Sequence, residues 1–330
     1  MSPPVSTARP SIIVTGASGF IGRHVVETFK DDFLIYAIAR RGQKQVKIPP
    51  HPNIKWIQVD ISHRPFLQKA VSALQKQGDF DFVLHLAGYY DFDYSDCPQY
   101  QSTNIDGTRY MLEAARVLNV KHFIFASSVA ACDFPPAGQA ITEKTPPDAD
   151  YPYAVSKKAA EKMLEEYSRV FSCSIVRLAA VYSDWCEYGP LYVFLDTWLS
   201  RRWNRSILGG KGNSAVPYIH VKDLVKLFLE IIKRHKELPP LDTYNASPDG
   251  ATTHAELFEI ATRYYFRKTV KPFFMPKFIA LPGVIARDIL GRIAGNRPFE
   301  RPWMLKYLDM KLSVDAAYTR RGPDWRPAPR

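Results

Sequence analysis

The sequence predicts an α/β protein: a doubly wound parallel sheet followed by a smaller, irregular C-terminal lobe. Short apolar runs alternate with helix-period segments over the first 180 residues, and a glycine-rich turn follows the first run. After Val181 the alternation stops and Gly, Pro and Trp crowd the turns. Continuous apolar strands joined by helical crossovers belong to sheets covered on both faces. The runs fall at 12–15, 33–39, 54–59, 82–86, 122–126 and 174–178, and the helical segments at 21–29, 66–75, 103–118 and 153–171. Further helices are predicted near 191–203, 221–233 and 254–266, with proline-interrupted, loop-like segments to the end. The division is a loose tail over 1–10, a sheet domain over 11–180 to which 215–247 returns, and a lobe over 181–330.

Composition narrows the class. The chain has 330 residues, 46% of them hydrophobic, enough to fill a core and exclude a disordered protein. Cys97, Cys132, Cys173 and Cys186 form no CxxC pair and have no His at ligand spacing. No metal site or disulfide framework is expected, and a reducing, cytoplasmic setting fits best. No stretch approaches the ~18 apolar residues of a membrane span. The net charge of +11 favours anionic ligands. With no nucleic-acid module in the chain, that charge reads as solubility plus cofactor attraction rather than nucleic-acid binding.

Thr15-Gly16-Ala17-Ser18-Gly19-Phe20-Ile21-Gly22 closes the first strand and opens the first helix. Gly16 permits the tight turn, Gly19 lets backbone N–H groups approach a pyrophosphate, and Gly22 allows close helix–strand packing. The helix N-terminus then faces the phosphates. This is a Rossmann-type dinucleotide site, with Ser18, Phe20 and Ile21 in the loop. The second strand ends in Arg40-Arg41, where NAD sites carry an acid. Arg40 therefore points to NADP through its 2′-phosphate, with NAD as the alternative. Asp60 and Ile61 are placed beside the adenine; Asp60 otherwise reads as a helix N-cap.

Tyr153 and Lys157 stand at i and i+4 on one helical face. A phenol is a poor base near neutrality, and a neighbouring cation is expected to lower its pKa. Ser127 and Ser128 end the fifth strand at the carboxyl edge of the sheet, where α/β sites are built.

With these motifs in hand, the chain resembles the extended short-chain dehydrogenases/reductases, the NAD-dependent epimerase/dehydratase superfamily. The resemblance rests on TGASGFIG at 15–22, His85-Leu86-Ala87-Gly88, Asn104-Ile105-Asp106-Gly107-Thr108, Ser128, Tyr153-xxx-Lys157 and Ile219-His220-Val221-Lys222-Asp223. It implies Tyr153 as general acid/base, Lys157 as ribose ligand, Ser128 as carbonyl-orienting hydroxyl, and Leu86, Ala87 and Gly88 as cofactor wall. His85 and Asn104 are expected to be structural, and Ser127 to bond locally. A homodimer through helices 103–118 and 153–171 is also implied.

Two departures separate the chain from the sugar-nucleotide epimerases it resembles. Ala180 stands where they carry Asn, and Val216 where they carry Arg for the diphosphate. Unpaired buried phosphate charge is costly, so the sequence favours a small hydrophobic carbonyl/alcohol substrate, as in 3β-hydroxysteroid dehydrogenases and dihydroflavonol reductases. Tyr90, Tyr182 and Tyr192 are the expected pocket residues, among further aromatics that include Phe92, Tyr94 and Tyr188. The function expected first is an NADPH-preferring oxidoreductase. A nucleotide-sugar epimerase with tightly held NAD⁺ and a non-catalytic dinucleotide-sensing protein are the alternatives. Finally, 271–301 mixes Phe and Ile with Lys and Arg. Its prolines favour a helix docked on its own lobe over one lying on a membrane.

Overall fold

The computed structural model describes residues 9–92, 95–295 and 298–328. Most of the expected tail, Tyr94 and part of 271–301 lie outside the described residues. Seven parallel strands form the central sheet: β1 (Ser11–Thr15), β2 (Leu34–Ala39), β3 (Ile54–Gln58), β4 (Phe82–His85), β5 (His122–Ser128), β6 (Ser172–Leu178) and β11 (Leu241–Ala246). Their order is β11-β6-β5-β4-β1-β2-β3, so strand order reverses between β1 and β4. Ligands of open α/β sheets sit at that reversal, beyond the carboxyl ends of the strands.

Both faces are covered, as the apolar runs require. Val25, Val26 and Phe29 of α1 (Phe20–Phe29) and Leu224, Phe228 and Ile231 of α6 (Val221–Arg234) bury one face. The other lies under Leu67 and Val71 of α2 (Arg64–Gln75), Met111 and Leu112 of α3 (Gly107–Val117), and Ala160 and Leu164 of α4 (Pro152–Tyr167). The segment expected as one helix over 103–118 begins as a wider π-turn, Tyr100–Asp106, before continuing as α3.

Small paired strands build the lobe. β7 (Ala180–Tyr182) pairs with β10 (Tyr218–His220), β8 (Ile207–Gly209) with β13 (Phe273–Met275), and β9 (Ala215–Val216) with β12 (Thr252–Thr253). Around them lie α5 (Gly189–Trp198), α7 (His254–Phe266) and α8 (Lys277–Ile293). α8 corrects the expectation of loop-like segments after 266. Pro282 lies within it on an exposed turn, where its missing N–H removes one helix hydrogen bond.

The C-terminal segment is part of the core. Trp325 is fully buried in the α1/α6 layer and its indole N–H donates to the Asp223 carbonyl at 2.9 Å. Trp325→Ala is expected to cost about 3–5 kcal/mol, read from urea unfolding, because the cavity forms in a close-packed layer. An unchanged midpoint would show that this segment docks without stabilising the fold.

Candidate active site

The glycine loop is shaped by close approaches. Gly16 has φ +67°, and a Cβ there would lie 2.8 Å from the Ala87 nitrogen. A Cβ on Gly22 would lie 2.3 Å from the Gly16 carbonyl oxygen, so helix and turn meet backbone to backbone. α1 starts at Gly19 with no side-chain cap and no acid in its first turn. Uncapped N–H groups at a positive helix end fit an anion, so the residues present suit the pyrophosphate of a dinucleotide.

The cation placed over this loop is Arg41, which donates to the Ser18 carbonyl. Arg40, expected to bind a 2′-phosphate, is exposed, and its own carbonyl accepts from Gln58 Nε2 at 3.1 Å. Asp60 Oδ1 accepts from the Ser62 N–H and hydroxyl at 3.0 and 2.7 Å, so it closes a turn; the N-cap of α2 is His63. Ile61 is buried, and a Cβ on Gly107 would lie 2.9 Å from its Cδ1. Its side chain therefore packs on α3.

The fourth strand delivers the next wall. Thr15 Oγ1 accepts from the Leu86 and Ala87 N–H groups, both at 3.1 Å, and donates to His85 Nδ1 at 2.7 Å. His85 Nε2 donates to Thr108 Oγ1 at 3.0 Å, because the Thr108 hydroxyl proton is already committed to the Asn104 carbonyl at 2.6 Å. Both ring nitrogens are thus consumed by a neutral imidazole. Burial, reinforced by Lys157, holds its pKa down to about 3. His85 fixes the loop and has no proton to offer a substrate. Gly88 leaves space: a Cβ there would still stand 3.6 Å from Lys157 Nζ.

Tyr153, Lys157 and Ser128 converge at the carboxyl edge of β5. Lys157 Nζ donates to the Ala126 carbonyl at 2.7 Å and lies 4.8 Å from the Phe125 ring centroid and 5.7 Å from that of Tyr153. Burial pulls the ammonium down to about 8, while Glu161 pulls it up. Tyr153 departs from expectation. Burial pushes the phenol up to about 12 and outweighs the hydrogen bond with Ser128, which lowers it. Burial therefore keeps the phenol protonated, in its acid form.

α4, which carries this pair, is clamped from below. Glu161 takes a bidentate hydrogen bond from Arg177 at 2.8 and 3.1 Å, with both side chains 4% exposed. Ser127 donates to Glu161 at 2.5 Å. Asn104 Nδ2 donates to Ser156 Oγ at 2.9 Å, and Ser156 Oγ donates to the Tyr153 carbonyl at 2.7 Å. These ties join the π-turn and β5–β6 to α4.

The rings around Tyr153 differ in part from those expected. Tyr90 packs edge-on at 4.6 Å, and Tyr100 and Tyr151 lie at 6.3 and 6.5 Å. Tyr188, pushed up to about 12 by burial, couples electrostatically to Tyr153. Tyr182 instead packs on His220 and Tyr218 and lines a separate cavity of about 270 Å³. Tyr192 is 59% exposed, with no ring contact to Tyr153 among the described residues. Tyr100 and Tyr151 were missed because their segments meet Tyr153 only in three dimensions.

A glycine loop opening an uncapped helix, together with a buried Tyr–Lys pair and a hydroxyl beside the phenol, fits a nicotinamide-dependent enzyme of the extended short-chain type. The chain belongs to the NAD dependent epimerase/dehydratase family, whose model matches residues 12–247. A putative UDP-glucose 4-epimerase of Methanocaldococcus jannaschii is 27% identical over 260 residues, covering 76% of this chain and 80% of its own. The dTDP-D-glucose 4,6-dehydratase of Bos taurus is 27% identical over 257 residues, covering 74% and 70%. In fold, the chain matches the Thermus thermophilus UDP-glucose 4-epimerase solved with NAD (TM-score 0.71, 20% identity, 96% and 94% covered).

Proposed function

We propose that this enzyme oxidises and re-reduces one carbinol carbon of a nucleotide-sugar-class substrate, retaining NAD, with no net redox change. The observation that carries the reading is the convergence of Tyr153, Lys157 and Ser128 beside the glycine loop. The names of the relatives, sugar-nucleotide epimerases and dehydratases, support this substrate class over the hydrophobic carbonyl favoured by sequence alone. Bound NAD supplies hydride acceptance and return. The chain's own residues do the rest. Gly16, Gly19 and Gly22 admit the pyrophosphate, Ser128 orients the substrate oxygen, and Tyr153 exchanges a proton with it. Lys157 holds its positive charge under the site.

A second reading keeps a hydrophobic ketone with NADP. It is favoured by Ala180 and Val216, which offer a diphosphate no polar side chain, and by Arg41 over the loop. One experiment separates the two. Purified protein is denatured, the released dinucleotide is quantified, and intact enzyme is incubated with UDP-glucose and UDP-N-acetylglucosamine under NMR. Stoichiometric NAD⁺ with conversion at the sugar C4 and no NADH accumulation is the expected result. A cofactor-free preparation that consumes NADPH with ketones would overturn it.

A further inference from the structure

α8 is built inside out. It turns Ala280, Asp288 and Gly291 into the lobe, while Phe278 is 75%, Leu290 64% and Ile293 80% exposed. Helices of water-soluble domains bury their large apolar side chains and expose their small and polar ones. Phe273, on the strand leading into α8, is also exposed. The expected docking of this helix on its own lobe is therefore made by its small-residue face, and a wide apolar face remains in solvent.

The charge around that face identifies what covers it. Between residues 263 and 293 the sequence holds seven Lys/Arg and one acid, Asp288; Arg263 and Arg287 pair with Glu259 and Glu300, and Arg267, Lys268, Lys271 and Lys277 keep the segment basic. Asp288 is buried and accepts from Arg292 Nε at 3.0 Å. Two copies meeting through such a face would bring like charge against like charge. An anionic lipid surface complements both the apolar side chains and the cations. Spanning is excluded for this helix: Pro282, Arg287 and Asp288 interrupt it, and no helix among the described residues is long and apolar enough to cross a bilayer.

We propose that the α8 face docks on an anionic membrane surface, the helix lying in the interface plane. Phe278, Ile289, Leu290 and Ile293 enter the acyl boundary, and Lys271 and Lys277 sit among the headgroups. This orientation bears on the active site through Phe299, just beyond α8. Phe299 lies 5.6 Å from Phe92, Phe92 4.8 Å from Tyr90, and Tyr90 4.6 Å from Tyr153. A line of rings thus runs from Phe299 to the Tyr153 phenol. The docking itself is independent of which substrate the site takes.

The test is co-sedimentation of the full chain with phosphatidylcholine vesicles, with and without about 30 mol% phosphatidylserine, at low and high salt. Binding to the anionic vesicles alone, released by salt, is expected. The triple variant Phe278→Ser/Ile289→Ser/Ile293→Ser should partition about tenfold less, and so should Lys271→Gln/Lys277→Gln, each with an unchanged circular dichroism spectrum. Protein left in the supernatant with anionic vesicles at low salt would overturn the proposal. So would binding that the triple variant leaves intact. A lipid-free dimer that the triple variant dissociates would overturn it in favour of a second copy on this face.

Discussion

Tyr153→Phe is expected to lower turnover about 10²–10⁴-fold while leaving bound dinucleotide unchanged. The phenyl ring keeps the packing against Tyr90 and Tyr100, and the glycine loop that admits the phosphates is a separate segment. Only the hydroxyl is lost, and with it the group proposed to exchange a proton with the substrate oxygen beside Ser128. The pH dependence carries a sign. Burial keeps the phenol protonated to about pH 12, so the base form grows as pH rises. The oxidative half-reaction should therefore accelerate with pH, by about tenfold per unit while proton removal limits it. Single-turnover nicotinamide absorbance in wild type and variant checks both statements. A variant with full activity, or a wild-type rate that falls with pH, would remove Tyr153 from the chemistry.

The legible parts of this site are those where spacing along the chain is itself the geometry. Glycines three apart in a strand–helix turn encode a backbone approach, and the 2.3 Å clearance at Gly22 is its physical content. Tyr153, Lys157 and Glu161 share one face of α4 because four residues make one helical turn. At the end of β2 this logic fails: Arg40 and Arg41 are adjacent cations, and only the turn's path decides that Arg41 reaches Ser18. The ring set fails for a different reason. Tyr90, Tyr100 and Tyr188 come from three segments whose meeting at Tyr153 depends on the sheet order, so composition suggests aromatic walls without selecting which rings. Spacing predicts a lowered phenol pKa, but burial, invisible in spacing, raises it against the hydrogen bond with Ser128. Proline counts as a helix breaker along the chain, which makes the stretch after 266 look loop-like, yet Pro282 costs α8 one hydrogen bond on an exposed turn.

Glu161→Gln is expected to destabilise the fold by about 3–5 kcal/mol, because it leaves the Arg177 guanidinium buried without its counter-charge. The amide is nearly isosteric, so the loss reports charge and hydrogen bonding rather than a cavity. Arg177 retains its bonds to the Thr145 carbonyl at 2.6 Å and to Cys132 Sγ at 3.5 Å. Ser127 loses its carboxylate acceptor. Replacing both partners, as Glu161→Leu/Arg177→Met, should recover much of the stability, since an apolar pair carries no desolvation penalty. Function should register the charge separately. Glu161 is the group that holds the Lys157 pKa up against burial, so its removal moves that pKa further below about 8. Any step that needs the ammonium then fails at lower pH in Glu161→Gln than in wild type. Chemical denaturation of the single and double variants gives the first reading, and the alkaline limb of the activity profile gives the second. A single variant within about 1 kcal/mol of wild type would mean the pair behaves as a solvated surface bridge. An alkaline limb that stays in place would mean α4 carries Lys157 without electrical help from Glu161.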